Sequence, residues 1–216
     1  MSEIILVRHG QANTHATDEV SYDQLSQLGR EQARWLGAHM GTTNPHFDRV
    51  ISGSLTRQVE TAQAMGYAPH QQDNRLNELS YFELTHAVER QFGLPAPAEA
   101  AEFARYMPQV MDYWAQGALE GIPEPFETFE ARVRGLLDEL CEGGGRTLAV
   151  TSGGVIGMVL SIVLALDTRA MTAVMLQVMN SSMHRLHYIH GQLMLATFNA
   201  TPHLDAPERA HARTFI

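Results

Sequence analysis

The chain has 216 residues, 44% hydrophobic and 18% charged, values that fit a globular protein with room for a sizeable core in one domain. Its 24 acidic and 15 basic residues leave a formal charge of −9 with no Lys/Arg run, which argues against nucleic acid and anionic membrane as partners. An anionic substrate would therefore need a locally positive pocket inside an acidic shell. The single cysteine, Cys141, excludes an intramolecular disulfide framework and any multi-cysteine metal site.

The N-terminus has neither a basic region nor an apolar core of the signal-peptide kind. The most apolar stretch, residues 155–166, is too short to span a bilayer, so a soluble cytoplasmic protein is the expectation. Residues 4–13 read I-I-L-V-R-H-G-Q-A-N. The four leading apolar residues show no polar face, as in a strand buried on both sides. The strand ends at Arg8, His9 and Gly10. Arg8 offers a planar fork of donors suited to phosphate. His9 is both nucleophilic and largely neutral near neutral pH. Gly10 leaves the backbone free to turn and a ligand free to come close. In open α/β sheets, ligands bind just past the carboxyl ends of strands.

Residues 11–23 read as a polar loop, with His15, like His39 further on, at the surface. Residues 25–40 have the apolar spacing of an amphipathic helix. Residues 47–52 form a second short strand, and the chain then turns at Gly53 into a helix running to about Met65. Ser54 is the expected N-cap of that helix, with Arg57 in its first turn, a second corner suited to phosphate. Helical pieces follow at 85–92, 98–116 and 127–141, the first two reading as an insertion above the sheet. Gly143, Gly144 and Gly145 end the third piece and lack dinucleotide spacing. Residues 147–151 make a third strand, followed by Ser152, Gly153, Gly154 and an apolar helix at 155–166. The methionines of 171–183 read as core. Residues 183–189 and 192–198 form a closing hairpin through His190 and Gly191, and the tail from Thr201 is polar. Strands alternating with helices predict an α/β fold, a three-layer α/β/α sandwich on a mostly parallel sheet.

The order of motifs resembles the histidine phosphatase superfamily, the phosphoglycerate-mutase-like proteins. It comprises Val7-Arg8-His9-Gly10-Gln11, then Ser52-Gly53-Ser54-Leu55-Thr56-Arg57 with Thr61-Ala62. Asn77-Glu78, a strand ending in Gly-Gly-Val-Ile, Asn180-Ser181-Ser182 and His203-Leu204 complete it. The resemblance covers nearly the whole chain. It implies one such domain over residues 1–216, with a helical cap insertion at about 79–125. It implies a phosphomonoester hydrolase in which His9 attacks phosphorus and carries a phosphohistidine. Arg8 and Arg57 would hold the phosphoryl oxygens and Glu78 would protonate the leaving oxygen. Gln11, Asn13, Ser152 and Gly153 are the further substrate-binding candidates. No cofactor and no metal are implied, because the arginines supply the charge. The partner would be a small phosphorylated molecule or a phosphate ion, with a homodimer as an allowed assembly.

One departure stands out. The family's strand normally ends Ser-His-Gly-Gly, and here Ser152 stands where the second histidine would be. A lost preorganised donor costs ~10²–10³ in rate. The alternative is therefore a catalytically impaired relative that binds a phosphorylated ligand or a protein partner. His184, His187 and His203 are the histidines a fold-back could bring in. A serine hydrolase built on Ser152 is disfavoured, because Val150 stands where a nucleophile elbow needs Gly.

Overall fold

The computed structural model describes residues 1–215 except His15, Asn44, Pro45, Pro69, Ala98 and Glu99, and leaves the side chains of Ala100 and Ala101 undescribed. The surface position expected for His15, and the expected helix start at residue 98, lie outside the described residues.

Six strands form one sheet: β1 (Ser2–Arg8), β2 (Arg49–Ser52), β3 (Gln71–Gln72), β4 (Gly145–Thr151), β5 (Met183–Ile189) and β6 (Gln192–Ala200). Their order is β3-β2-β4-β1-β5-β6, with the pairs from β3 through β1 parallel and β5 and β6 antiparallel. The eight helices of the described residues are α1 (Glu19–Tyr22), α2 (Gln27–Thr43), α3 (Thr56–Ala64), α4 (Tyr81–Phe92), α5 (Ala100–Ala115), α6 (Phe126–Glu142), α7 (Gly153–Leu164) and α8 (Thr168–Gln177).

The alternation along β1 explains the layering. Ile4 and Leu6 enter one core cluster, with residues of α4 to α8, while Ile5 and Val7 enter the other, with Ala33, Leu36 and Met40 of α2 and Ala62 of α3. A strand with helices on both faces must be apolar on both, and each fully buried aliphatic chain contributes ~1.5–3 kcal/mol. The α/β/α sandwich on a mostly parallel sheet follows. No described helix is long and apolar enough to cross a membrane.

Four local expectations change. The 11–23 loop contains α1, whose N-cap Asp18 accepts from the Ser21 backbone N–H. The methionine-rich stretch contains α8, capped by Asp167. A two-residue strand, β3, pairs with β2. Ser54 is not the cap of α3: the N-cap position is Leu55, and the first amides of that helix are taken by a carboxylate from elsewhere, described below. The hairpin turns at His190 (φ 50°) and Gly191 (φ 80°), the left-handed pair a tight two-residue turn requires.

Register brings three strand ends together. Arg8 of β1 lies opposite Thr151 of β4, and Ser52 of β2 lies opposite Val150. The loops after β1, β2 and β4 therefore converge at the carboxyl edge of the parallel strands, where α/β folds bind ligands.

Candidate active site

His9 follows the last residue of β1 and is 1% exposed. Its backbone is held from three sides: its N–H donates to the Thr151 carbonyl at 2.9 Å, and its carbonyl accepts from Ser181 N–H at 3.2 Å and Asn180 Nδ2 at 3.4 Å. The next amide, Gly10 N–H, donates to Thr61 Oγ1 at 3.1 Å. Thr61, Asn180 and Ser181 thus clamp the nucleophile candidate rather than meeting a ligand. The bare Cα of Gly10 serves packing, since a Cβ there would lie 2.3 Å from the Gly29 carbonyl oxygen of α2. The ligand approach expected at Gly10 is replaced by this helix contact.

The His9 ring has one consistent tautomer. Nδ1 lies 2.7 Å from the Gly10 carbonyl, which only accepts, so Nδ1 carries the proton. Nε2 keeps its lone pair and accepts from Arg57 Nε at 3.4 Å. Burial, then the positive charges of Arg57 and Arg8, push the imidazole well below its ordinary value of 6.5. His9 is therefore expected to stay neutral as the pH falls through its ordinary value of 6.5, and nitrogen-detected NMR of the free protein should show no change at its ring there. A midpoint near 6.5 would contradict this environment.

Arg57, in the first turn of α3, is 1% exposed. Its Nη1 donates to Asp23 Oδ1 at 3.0 Å, and its guanidinium carbon stands 4.9 Å from the centroid of the Tyr22 ring. Asp23 also accepts from the Thr56 and Arg57 backbone N–H groups, at 2.8 and 3.2 Å. The α3 N-terminus expected to meet phosphate is thus filled by Asp23, which instead fixes the Arg57 side chain. Ser54 pairs with Asn77, its N–H donating to Asn77 Oδ1 at 2.8 Å and its Oγ accepting from Asn77 Nδ2 at 2.9 Å. That pair ties the β2 corner to the residue before Glu78.

Arg8 is 7% exposed and donates through Nη1 to the carbonyls of Val178 and Phe215. Its Nε has no hydrogen-bond partner among the described residues. A buried guanidinium N–H left open beside a cavity calls for an acceptor. Glu78 lies at the N-terminus of α7, where its carboxylate accepts from Gly154 N–H at 3.0 and 3.1 Å and from Leu79 N–H at 3.0 Å. Residue 154 must be Gly, because a Cβ there would lie 2.2 Å from Glu78 Oε1.

These side chains border a cavity of about 590 Å³. Arg8, Arg57, Glu78, Asn13 and Gly153 all line it, together with Glu19 and Tyr22 of α1. An apolar wall comes from Leu79, Tyr81, Phe82, Phe103, Met107 and Leu176. His9 is itself not among the lining residues; it touches the cavity wall through Arg57, whose Nε donates to its Nε2. Gln11 is not among the lining residues; its carboxamide oxygen accepts from Ser26 Oγ at 2.9 Å. Ser152 is fully buried and does not line the cavity either. Its Oγ accepts from Gln58 Nε2 at 2.8 Å, so although Ser152 is the N-cap residue of α7 its side chain makes no capping bond.

The three other candidate histidines sit elsewhere. His184 is buried against Ser182 Oγ at 3.0 Å and pushed down to about 3 by burial. His203 pairs with Ser181 Oγ at 2.8 Å, and His187, on β5, lies 3.9 Å from Glu3 of β1. Among the described residues, none lines the cavity. Sequence reasoning missed Glu19, Tyr22, Asp23 and Gln58. For Asp23 and Gln58 the available signal was chemical: a carboxylate and a carboxamide without an obvious local partner.

The profile of the histidine phosphatase superfamily (branch 1) matches residues 4–201. The mitochondrial serine/threonine-protein phosphatase Pgam5 of Drosophila willistoni is 29% identical over 118 residues, 53% of this chain. The chain spans only about a third, 36%, of that relative's length. A broad-specificity phosphatase of Saccharomyces cerevisiae is 26% identical over 165 residues, covering 73% of this chain and 68% of the yeast protein. Among solved structures, an Entamoeba histolytica phosphoserine phosphatase superposes with a TM-score of 0.68 at 21% identity, covering 94% of this chain and 100% of that one. A Bacillus anthracis phosphoglycerate mutase gives 0.67 at 21% identity, with 94% of each chain covered. The structural likeness carries the fold, and the profile match over nearly the whole length carries the kinship: the chain belongs to the histidine phosphatase superfamily, branch 1.

Proposed function

We propose that the chain is a phosphomonoester hydrolase working through a phosphohistidine on His9. The observation that carries this reading is the His9 ring itself: neutral, Nδ1 spent on Gly10, Nε2 unprotonated and held only by a long contact from Arg57, a residue that lines the cavity together with Arg8. In the first step Nε2 forms a bond to phosphorus as the ester P–O bond breaks. Glu78 gives its proton to the departing oxygen. Arg8 and Arg57 meet the charge that develops on the phosphoryl oxygens. In the second step Glu78 takes a proton from water as that water attacks phosphorus, freeing phosphate and His9. The guanidiniums supply the positive charge, so the scheme needs no metal. The chain acts as one domain, with α4 and α5 as a cap at about 79–125 over the cavity. Asn13 and Gly153 contact substrate, and the substrate is a small phosphorylated molecule. The phosphatase names of the fly and yeast relatives agree with this class.

The second reading, an impaired relative that binds its ligand, is favoured by Ser152. In the family pattern a histidine there adds a further donor. Here the space beyond Ser152 is filled by the Gln58 carboxamide, which also donates to the Leu76 carbonyl at 2.9 Å. An imidazole grown from residue 152 along its present direction meets that carboxamide. Ser152→His alone is therefore expected to bring no gain, and to weaken folding by overpacking. Ser152→His combined with Gln58→Ala is expected to raise kcat at least about tenfold over Gln58→Ala alone, below the ~10²–10³ of a fully preorganised donor. The test is steady-state hydrolysis of 4-nitrophenyl phosphate. Turnover by the wild-type chain supports the hydrolase. Vanadate binding without turnover, in both the wild-type chain and the double variant, supports the ligand-binding relative.

A further inference from the structure

Glu19 lines the cavity, although the cavity is otherwise suited to an anion. One of its oxygens, Oε1, accepts the Phe82 backbone N–H at 3.1 Å and so caps the first turn of α4. The other oxygen has no hydrogen bond or ion pair among the described residues, although the charge of Arg57 acts on the carboxylate from a distance. Around the site two guanidiniums, Arg8 and Arg57, face two carboxylates, Asp23 and Glu19, besides Glu78, which holds the proton for the leaving oxygen. A phosphomonoester brings further negative charge, so the loaded site would be strongly anionic unless the ligand also carried a cation. The open Arg8 Nε, in a side chain 7% exposed, marks the phosphoryl end of the cavity. Aromatic rings supply another part of the lining: Tyr81 packs against Phe82 and Phe103 with centroids 5.2 and 5.7 Å apart, and all three line the cavity. A carboxylate beside aromatic rings is the arrangement that holds an ammonium group, by charge and by attraction to the ring faces.

We infer that the cavity selects phosphomonoesters whose leaving group carries a cationic amine on an apolar body, with Glu19 and the Tyr81–Phe82–Phe103 wall holding the ammonium. The inference rests on the phosphatase reading for its orientation. Glu19 is a specificity residue here, distinct from the chemistry assigned to Glu78.

The test compares two aryl esters of matched leaving ability, tyramine phosphate and 4-ethylphenyl phosphate, which differ by the ammonium alone. Wild-type kcat/KM is expected to favour tyramine phosphate about tenfold, with the preference shrinking as salt rises. Glu19→Gln keeps an oxygen for the Phe82 N–H, so α4 stays capped, and the ratio of the two substrates should fall to about one. Equal kcat/KM in the wild-type chain, or a preference retained in Glu19→Gln, overturns the inference. If neither ester is hydrolysed, the hydrolase reading fails separately. The amine preference is then read from calorimetric binding of the matching non-hydrolysable benzylphosphonates, with and without the aminoethyl group. Equal affinities there also overturn it.

Discussion

Removing the His9 imidazole, as in His9→Ala, is expected to lower turnover of 4-nitrophenyl phosphate by at least ~10⁴, the scale on which loss of a covalent nucleophile is felt. The loss should fall on kcat. The variant should fold, because the His9 loop is held by its backbone, through Thr151, Asn180 and Ser181, and those contacts survive truncation at Cβ. Removing a buried side chain leaves a cavity, so some loss of thermal stability is expected, but without a change of fold. Binding of vanadate should weaken less than turnover, since Arg8 and Arg57 remain. Full activity in His9→Ala would remove His9 from the chemistry.

Arg57→Ala should have the next largest effect. The guanidinium is nearly fully buried, is fixed by Asp23 and Tyr22, and touches the His9 ring, so it is preorganised where charge would develop. Losing one such group costs ~10²–10³ in kcat, with a smaller change in KM. Arg57→Lys should recover little. A lysine is a point charge, unable to donate to Asp23 and His9 through a planar fork at once. Asp23→Asn should give an intermediate loss, because the amide still accepts from the α3 amides but no longer pairs with the guanidinium. A change confined to KM in Arg57→Ala would mean that Arg57 binds substrate and transition state equally, against the role proposed for it.

The parts of the fold that were legible are those written in local periodicity. The Ile4–Val7 run announced a strand buried on both faces, and its alternation between two core clusters is the α/β/α layering itself. The hairpin at His190 and Gly191 and the amphipathic α2 were legible for the same reason: neighbours in sequence decide them. What stayed hidden depends on polar groups far apart in the chain. Ser54 has the chemistry of a cap, yet Asp23, 33 and 34 positions before the amides it satisfies, supplies the acceptor. Gln58 reaches Ser152 across 94 positions. The four-residue α1 is too short for any apolar period, and it brings Glu19 and Tyr22 to the cavity. The tail read only as polar, but it docks: Gln32 Nε2 donates to the Ala212 carbonyl at 2.7 Å, Asn180 N–H to the Thr214 carbonyl at 2.8 Å, and Arg8 to the Phe215 carbonyl. Backbone carbonyls carry no sequence signature, so this docking could not be read in advance. Among the site candidates, Arg8, Arg57, Glu78, Asn13 and Gly153 line one cavity, which His9 meets through Arg57, while the Gln11 carboxamide oxygen and the Ser152 hydroxyl bond to Ser26 and Gln58 instead.

The central claim, covalent phosphate on His9, is tested most directly by trapping. The chain is mixed with a ³²P-labelled phosphomonoester, quenched in base within the first turnover, digested, and the labelled peptide sequenced. The account predicts a label stable to base and released by acid, on the peptide containing Arg8, His9 and Gly10, and absent from His9→Ala. Label on a serine peptide, or rapid turnover in which no phosphate is ever found on His9, would contradict it.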